Sequence, residues 1–243
     1  MTKQSSSRWS WVMLFFRIGL FVGIQALFAL GFFLAGSATA WESSAAWWPF
    51  VVIIANLACV FLLVRLFKRE DKRFWEIFRI QKKHVKSDLL SILGIVIVMG
   101  PIAYIPNIGL GNLLFGDPQE SLDLLVRPLP FWAAIVGMIL FPLTQGMAEI
   151  PTYFSYVMPR FEGHGIPRWL AVSLPALLLG FQHCAIPLLF DIRFFTWRLL
   201  MFIPFAFLIG IVMRWRPRLL PYLAIIHVLI DLAFAVMLLN VAY

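Results

Sequence analysis

Seven long apolar stretches constrain the fold of this chain more than any other feature. A helix needs roughly 20 apolar residues to cross the hydrocarbon core of a bilayer. Lipid offers no partner to an unpaired backbone group, so each stretch is predicted to form a transmembrane helix. The predicted spans are residues 11–36, 47–67, 89–105, 131–156, 170–189, 199–215 and 223–242.

Composition agrees with this interpretation. Of the 243 residues, 62% are hydrophobic and only 13% are charged, whereas soluble domains are nearer half apolar and a quarter charged. This excludes a water-soluble enzyme, a disordered chain and a disulfide scaffold. We therefore predict an all-α polytopic membrane protein, with about seven transmembrane helices in one bundle that forms a single domain over residues 1–243.

Charged residues predict the orientation of the bundle. Lys and Arg dominate the loops after the second, fourth and sixth predicted spans, and the intervening loops are acidic or mixed. Basic loops stay in the cytoplasm, so the N-terminus is expected to be cytoplasmic and the C-terminus outside, in a bacterial-type plasma membrane. This topology accounts for the net charge of +8, and we expect no nucleic-acid partner.

Two segments next to the spans allow a second interpretation. The small residues Ser37–Ala40 resemble a signal-peptide cleavage site, but the preceding apolar run is long and contains Arg17, which favours an uncleaved helix. Residues 68–88 mix basic side chains with Phe74, Ile77, Phe78 and Val85, which would share one helix face. We expect a cytoplasmic amphipathic segment there, in contact with membrane lipid.

Ionisable residues within the spans are the candidates for function, because a charge in hydrocarbon costs several kcal/mol on most scales. Arg17 lies about two turns into the first span and is expected to reach the surface or to form a structural pair. The other four are Glu149, His183, His227 and Asp231; the neutral polar residues are Gln25, Asn56 and Gln145.

Spacing and depth predict that Glu149, His227 and Asp231 meet, and that His183 joins them if its helix starts later, tilts or kinks at Pro175. His227 and Asp231 are four residues apart and share a helix face. Glu149 and His227 are expected about 6–10 Å below the inner surface, whereas His183 would lie near 20 Å if its helix starts at residue 170. An acid and two imidazoles suit activation of water by a general base. They also suit a divalent metal such as zinc, and the choice between metal and no metal stays open.

At these residues the sequence resembles the CAAX-protease and bacteriocin-processing (CPBP, or Abi) family of intramembrane peptidases. That family carries the motifs EExxxR, FxxxH and HxxxN or HxxxD on separate spans. His227 to Asp231 match the third motif, and His183 matches the second with Leu179 in place of its phenylalanine. The first motif keeps only Glu149.

The first motif is the most altered of the three. With Glu149 as the first glutamate, Ile150 stands where the second would be and Phe154 where the arginine would be. With Glu149 as the second glutamate, Ala148 and Tyr153 stand at the other two positions, and neither register recovers the pair. The motifs cover residues 147–231, and a CPBP-like core would extend over residues 131–243. The resemblance implies that Glu149 activates water while His183, His227 and Asp231 assist.

We therefore expect an intramembrane peptidase that hydrolyses a peptide bond in a membrane-associated peptide or protein near the cytoplasmic face. One alternative is a catalytically inactive relative that binds membrane peptides or partners. Another is a proton-coupled transporter in which the same four residues form a proton relay.

Overall fold

The apolar stretches form helices, and the computed structural model describes residues 3–243, with side chains from Arg8 onward. No strand occurs within residues 3–243. The ten α-helices of this part are α1 (Lys3–Leu34), α2 (Ala40–Ala46), α3 (Trp48–Lys68), α4 (Val85–Phe115), α5 (Pro118–Asp123), α6 (Phe131–Ile150), α7 (Met158–Gly163), α8 (Arg168–Gln182), α9 (Ile192–Trp215) and α10 (Leu220–Asn240).

Six helical segments among the described residues are long and apolar enough to cross a membrane, which confirms an all-α polytopic membrane protein. The fifth predicted span differs from the prediction of one helix over residues 170–189. Only α8 is helical there, and the chain runs irregularly from His183 until α9 begins at Ile192. Pro187 explains the break, because it lacks an N–H group and disfavours helix in the preceding residue.

The basic loops lie together at one end of the bundle. Three ion pairs connect them: Glu70 with Arg160, Glu162 with Arg214, and buried Asp88 with Arg218. At the other end, Tyr243 exchanges backbone hydrogen bonds with Leu129 and Phe131. Trp41 donates to the carbonyl of Leu188 there, so the segment from α8 to Leu188 also runs from one end of the bundle to the other.

The helix that carries Glu149 is longer than predicted. After α6, one turn of π-helix (Pro151–Val157) leads directly into α7, and the chain stays helical to Gly163. Pro151 cannot donate the usual helical hydrogen bond, which accounts for the wider turn. Glu149 therefore lies about 20 Å from that helix end at 1.5 Å per residue. The helix thus ends seven residues beyond position 156, where the predicted span ended.

Residues 68–88 do not form the predicted amphipathic helix. They contain two short 3₁₀ turns, Phe74–Phe78 and Lys82–His84, and α4 begins at Val85. Phe74 is buried against Phe67 and Phe78. The apolar side chains thus anchor the segment under the bundle instead of presenting one continuous face to lipid.

The interior contains two large apolar clusters. One lies toward the end with the basic loops and includes Phe74, Tyr156 and Phe161. The other includes Phe21, Trp48, Phe141 and Ala235, which come from α1, α3, α6 and α10.

Glu70 should make the stability of the protein depend on pH. Burial alone would raise the pKa of Glu70, but two hydrogen bonds from Arg160 and the charges of Arg160 and Lys72 hold that pKa below its usual value of 4.5. Such a group stabilises the fold above its unfolded pKa, and this contribution is lost as the pH falls through the folded pKa.

We expect the parent protein to lose thermal stability below about pH 4.5, and Glu70→Gln to lose less over the same range. The measurement is the melting temperature in detergent between pH 7 and pH 3. Asp117→Asn, which changes an exposed cap residue of α5, is the control. Equal acid sensitivity of Glu70→Gln and the parent would contradict this account of the ion pair.

Candidate active site

A fully buried guanidinium lies at the centre of a polar cluster inside the bundle. Arg17 of α1 donates from Nε to Gln182 Oε1 at 2.8 Å, from Nη1 to Asn56 Oδ1 at 2.6 Å and from Nη2 to Gln145 Oε1 at 3.0 Å. Its relative exposure is 0%. A buried charge is tolerated only when it is hydrogen-bonded and paired, and these amide oxygens supply the hydrogen bonds. Arg17 therefore does not reach the surface and forms the structural pair instead.

Glu149 lies on the far side of the same two glutamines. Its Oε2 accepts hydrogen bonds from Gln145 Nε2 and Gln182 Nε2, each at 2.6 Å, and lies 3.7 Å from Arg17 Nη2. Each glutamine thus turns its oxygen to the guanidinium and its N–H group to the carboxylate. Glu149 Oε1 accepts no hydrogen bond from any described residue. The two oxygens of one carboxylate are therefore inequivalent.

Local sequence explains how these groups meet. Gln145 and Glu149 are four residues apart on α6 and share a face. Gly146, between them, lets α10 approach closely: a Cβ atom there would lie 2.6 Å from Val228 Cγ2 and 3.0 Å from the carbonyl oxygen of Ala224. Glycine at this position therefore allows His227 to come near Glu149.

His183 is held from two sides. Its Nδ1 lies 2.7 Å from the carbonyl oxygen of Leu179. Since a carbonyl only accepts, Nδ1 carries the hydrogen and Nε2 of the neutral ring is left as an acceptor. The ring stacks on Phe202 with centroids 3.5 Å apart. Its Nε2 is thereby directed toward Glu149 Oε2, at a distance of 3.7 Å.

His227 lies between the two carboxylates. Its Nε2 is 3.6 Å from Glu149 Oε1 and 3.4 Å from Asp231 Oδ2. His227 Nδ1 and Asp231 Oδ2 are buried and have no hydrogen-bond partner among the described residues. The structure thus brings together all four ionisable residues singled out in the sequence.

The depth of His183 follows from the irregular segment after α8. Pro187 cannot donate to the carbonyl of His183, and Arg198 Nε donates to it at 3.2 Å. Arg198 Nη2 also donates to the carbonyl of Ile186, and the Gln25 side chain bonds both the N–H and the C=O of Leu188. Non-helical backbone inside a membrane protein requires such partners.

The side chains of Glu149, His183, His227 and Asp231 lie on the wall of a cavity of about 400 Å³ between α3, α4, α6, α9 and α10. Many of the other side chains that line the cavity are large and apolar. They include Trp48, Met99, Phe141, Phe205, Leu223, Ile226 and Phe234. The cavity therefore suits an apolar ligand whose one polar group reaches Glu149 and the two histidines.

Among the described residues, no group of three or more His, Cys, Asp and Glu side chains is arranged to hold a metal ion. The Arg17 guanidinium also lies 3.7 Å from Glu149 Oε2, where it would repel a cation.

Three residues of this cluster were missed as parts of the site in the sequence. Asn56 and Gln145 stand out only as neutral polar residues in apolar spans, and Gln182 only as the neighbour of His183. Position 154, in the π-helical turn after α6, carries a phenylalanine, and the guanidinium beside Glu149 comes instead from α1. Polar residues in otherwise apolar stretches were the available signal.

Comparison with protein-family models, with curated proteins and with solved structures finds no match to this chain.

Removal of the guanidinium should be costly only while Glu149 carries a charge. We expect Arg17→Met to destabilise the protein by about 3–5 kcal/mol, because it leaves a buried carboxylate without a counter-charge. In the Glu149→Gln background the same substitution should cost much less, since both partners are then neutral.

The free energies of unfolding of the parent, both single variants and the double variant give this coupling. Arg65→Met is the matched control, because Arg65 is an exposed residue of α3 that stacks over Phe61. If Arg17→Met cost no more than Arg65→Met, the buried pair would not stabilise the fold.

Proposed function

We propose that this protein is a CAAX-protease-like intramembrane peptidase that hydrolyses a peptide bond with water activated by Glu149. The observation that carries the proposal is the asymmetry of the Glu149 carboxylate. Its Oε2 is occupied by two amide donors, while its Oε1 is free of hydrogen bonds from the described residues and lies 3.6 Å from His227 Nε2. A fixed carboxylate with one available oxygen is suited to act as a base.

The proposed reaction moves one proton from the attacking water to the leaving nitrogen. Glu149 Oε1 takes a proton from water as the water oxygen attacks the peptide carbonyl carbon. The negative charge then moves to the oxygen of the peptide carbonyl. As the tetrahedral intermediate collapses, the C–N bond breaks and the leaving nitrogen receives the proton. His227 is placed to pass that proton, because its Nε2 lies between Glu149 and Asp231.

The other side chains position these groups. Asp231 orients His227, and the Leu179 carbonyl with the Phe202 ring orients His183. Arg17 acts through Gln145 and Gln182, whose N–H groups it directs to Glu149 Oε2. We therefore regard Arg17 as a positioning residue and Glu149 as the catalytic base.

The proposed substrate is a membrane-associated peptide or protein with an apolar segment, because the cavity wall is apolar. The proposed location is a bacterial-type plasma membrane with the N-terminus cytoplasmic and the C-terminus outside, which follows from the basic loops. Membrane lipid is the surrounding partner, and no nucleic acid is involved.

One observation favours a second candidate, a catalytically inactive relative that binds membrane peptides. Buried Ile150 and Phe154 occupy the positions of the second glutamate and the arginine in the first motif. Neither supplies a polar group to the cavity.

Glu149→Gln should abolish cleavage; it should lower stability because Arg17 loses its counter-charge, but the bundle should still fold. The glutamine oxygen still accepts from Gln145 and Gln182, and Arg17 keeps its three amide partners, but the side chain no longer takes a proton from water. His227→Ala should also be inactive, whereas Asp231→Asn should retain part of the activity, because Asp231 acts through His227.

The assay incubates reconstituted protein with solubilised membrane proteins and identifies new chain termini by mass spectrometry. The matched control is Glu162→Gln, which changes a glutamate outside the cavity and should cleave like the parent. Full cleavage by Glu149→Gln would remove Glu149 as the base. Absence of cleavage by the parent would favour the inactive relative, and proton flux in vesicles would favour the transporter.

Labelling from outside tests the proposed orientation. In a Cys59→Ala/Cys184→Ala background, a cysteine at Gln81 should be protected from an impermeant thiol reagent in intact cells. Cysteines at Glu120 and Tyr243 should react, since they belong to the opposite end of the bundle. Reaction at Gln81 with protection at Glu120 would reverse the orientation.

A further inference from the structure

A second concave site lies away from the cavity, at the end of the bundle that carries the basic loops. We call it the basic groove. It has a volume of about 600 Å³ and lies between the 3₁₀ turn Phe74–Phe78 and the turn that joins α9 to α10. Its charged lining consists of Glu76, Arg79, Glu162, Arg214, Arg216 and Arg218.

Three of these six charged side chains are already neutralised within the protein. Arg214 pairs with Glu162 at 2.7 Å, and Arg218 pairs with buried Asp88 at 2.8 Å. Glu76 is the one remaining carboxylate of the lining and is exposed. Arg79 and Arg216 are left without ion pairs to the described residues, so the groove retains positive charge that a ligand can neutralise.

Arg216 is fixed in place without being neutralised. Its Nη1 donates to Ser91 Oγ at 2.6 Å and to Ser87 Oγ at 3.3 Å, and its guanidinium lies over the Trp215 ring at 4.4 Å. All these partners are uncharged. A half-buried, oriented guanidinium of this kind presents its remaining N–H groups to an anion at little entropic cost.

The position of the groove identifies the anion. Trp215 ends one membrane-spanning segment and Pro217 begins the next, so the turn between them lies at the membrane boundary. Trp75, Ile80 and Trp215 next to the groove are 56%, 44% and 62% exposed. Tryptophan at this level favours the headgroup region of the bilayer. Basic residues follow directly at Lys82, Lys83 and Lys86.

We propose that the basic groove binds the headgroup of an anionic glycerophospholipid, with its phosphate between Arg79 and Arg216. The acyl chains would extend past Trp75 and Trp215 into the adjacent leaflet. The exposed apolar rim favours a lipid over a free phosphate, because a free phosphate has no apolar part to contact that rim. This inference does not depend on peptidase activity at Glu149.

Native mass spectrometry of the purified protein in detergent tests the proposal. The probes are phosphatidylglycerol and phosphatidylcholine with identical acyl chains, and free glycerol phosphate. We expect phosphatidylglycerol to be retained most strongly. Arg79→Gln and Arg216→Gln should each reduce its retention by about fivefold, as removal of one basic residue at an anionic lipid surface implies.

Two further variants separate charge from folding. Arg216→Lys keeps the charge and should retain part of the binding, although a lysine does not reproduce the planar fork of the guanidinium. Arg8→Gln removes an exposed charge next to Trp9, whose ring lies under Arg69 at the same end of the bundle, and should bind like the parent.

Equal retention of the two lipids, or unchanged retention in an Arg79→Gln/Arg216→Gln double variant, would overturn the proposal. Retention of glycerol phosphate as strong as that of phosphatidylglycerol would also overturn it, because the ligand would then be a free phosphate. Far-ultraviolet circular dichroism of each variant establishes that it is folded.

Discussion

The guanidinium of Arg17 lies in the interior of a membrane protein, and the surrounding structure provides what this burial requires. Three amide side chains from three other helices accept its hydrogen bonds, and Glu149 provides the opposite charge. Removal of any partner would leave a buried polar group unsatisfied. α1, α3, α6 and α8 are therefore held in one arrangement by polar contacts, which apolar packing alone does not specify in lipid.

A second buried arginine, Arg198, stabilises irregular backbone. Arg198 binds the carbonyls of His183 and Ile186, where Pro187 prevents a helix from continuing. The histidine consequently ends α8 at a depth that matches Glu149. The candidate site thus depends on one arginine that neutralises a carboxylate and another that satisfies irregular backbone. The groove at the basic end uses Arg216 in a third way, as an oriented charge without an ionic partner.

The sequence predicted the helical class, the basic loops at one end of the bundle, and the four ionisable residues as members of one site. Each prediction rests on the free-energy cost of placing an unpaired polar or charged group in lipid. It did not predict how α6 continues to Gly163, since a π-turn at Pro151 leaves no hydropathy signal. It also could not assign partners to Arg17. Its amide partners come from three other helices. Contacts between residues so far apart in the chain depend on how the helices pack, which the pattern of apolar residues in the sequence does not reveal. The roles of Glu149 and His227 stay predictions.

The oxygen atom of the attacking water can be followed directly into the products. The reconstituted protein is incubated with solubilised membrane proteins in heavy-oxygen water, and the new carboxyl termini are analysed by mass spectrometry. We expect one heavy oxygen in each new terminal carboxylate made by the parent, and no such products from Glu149→Gln. Equal amounts of labelled product from both proteins, or products of the parent without heavy oxygen, would contradict activation of water by Glu149.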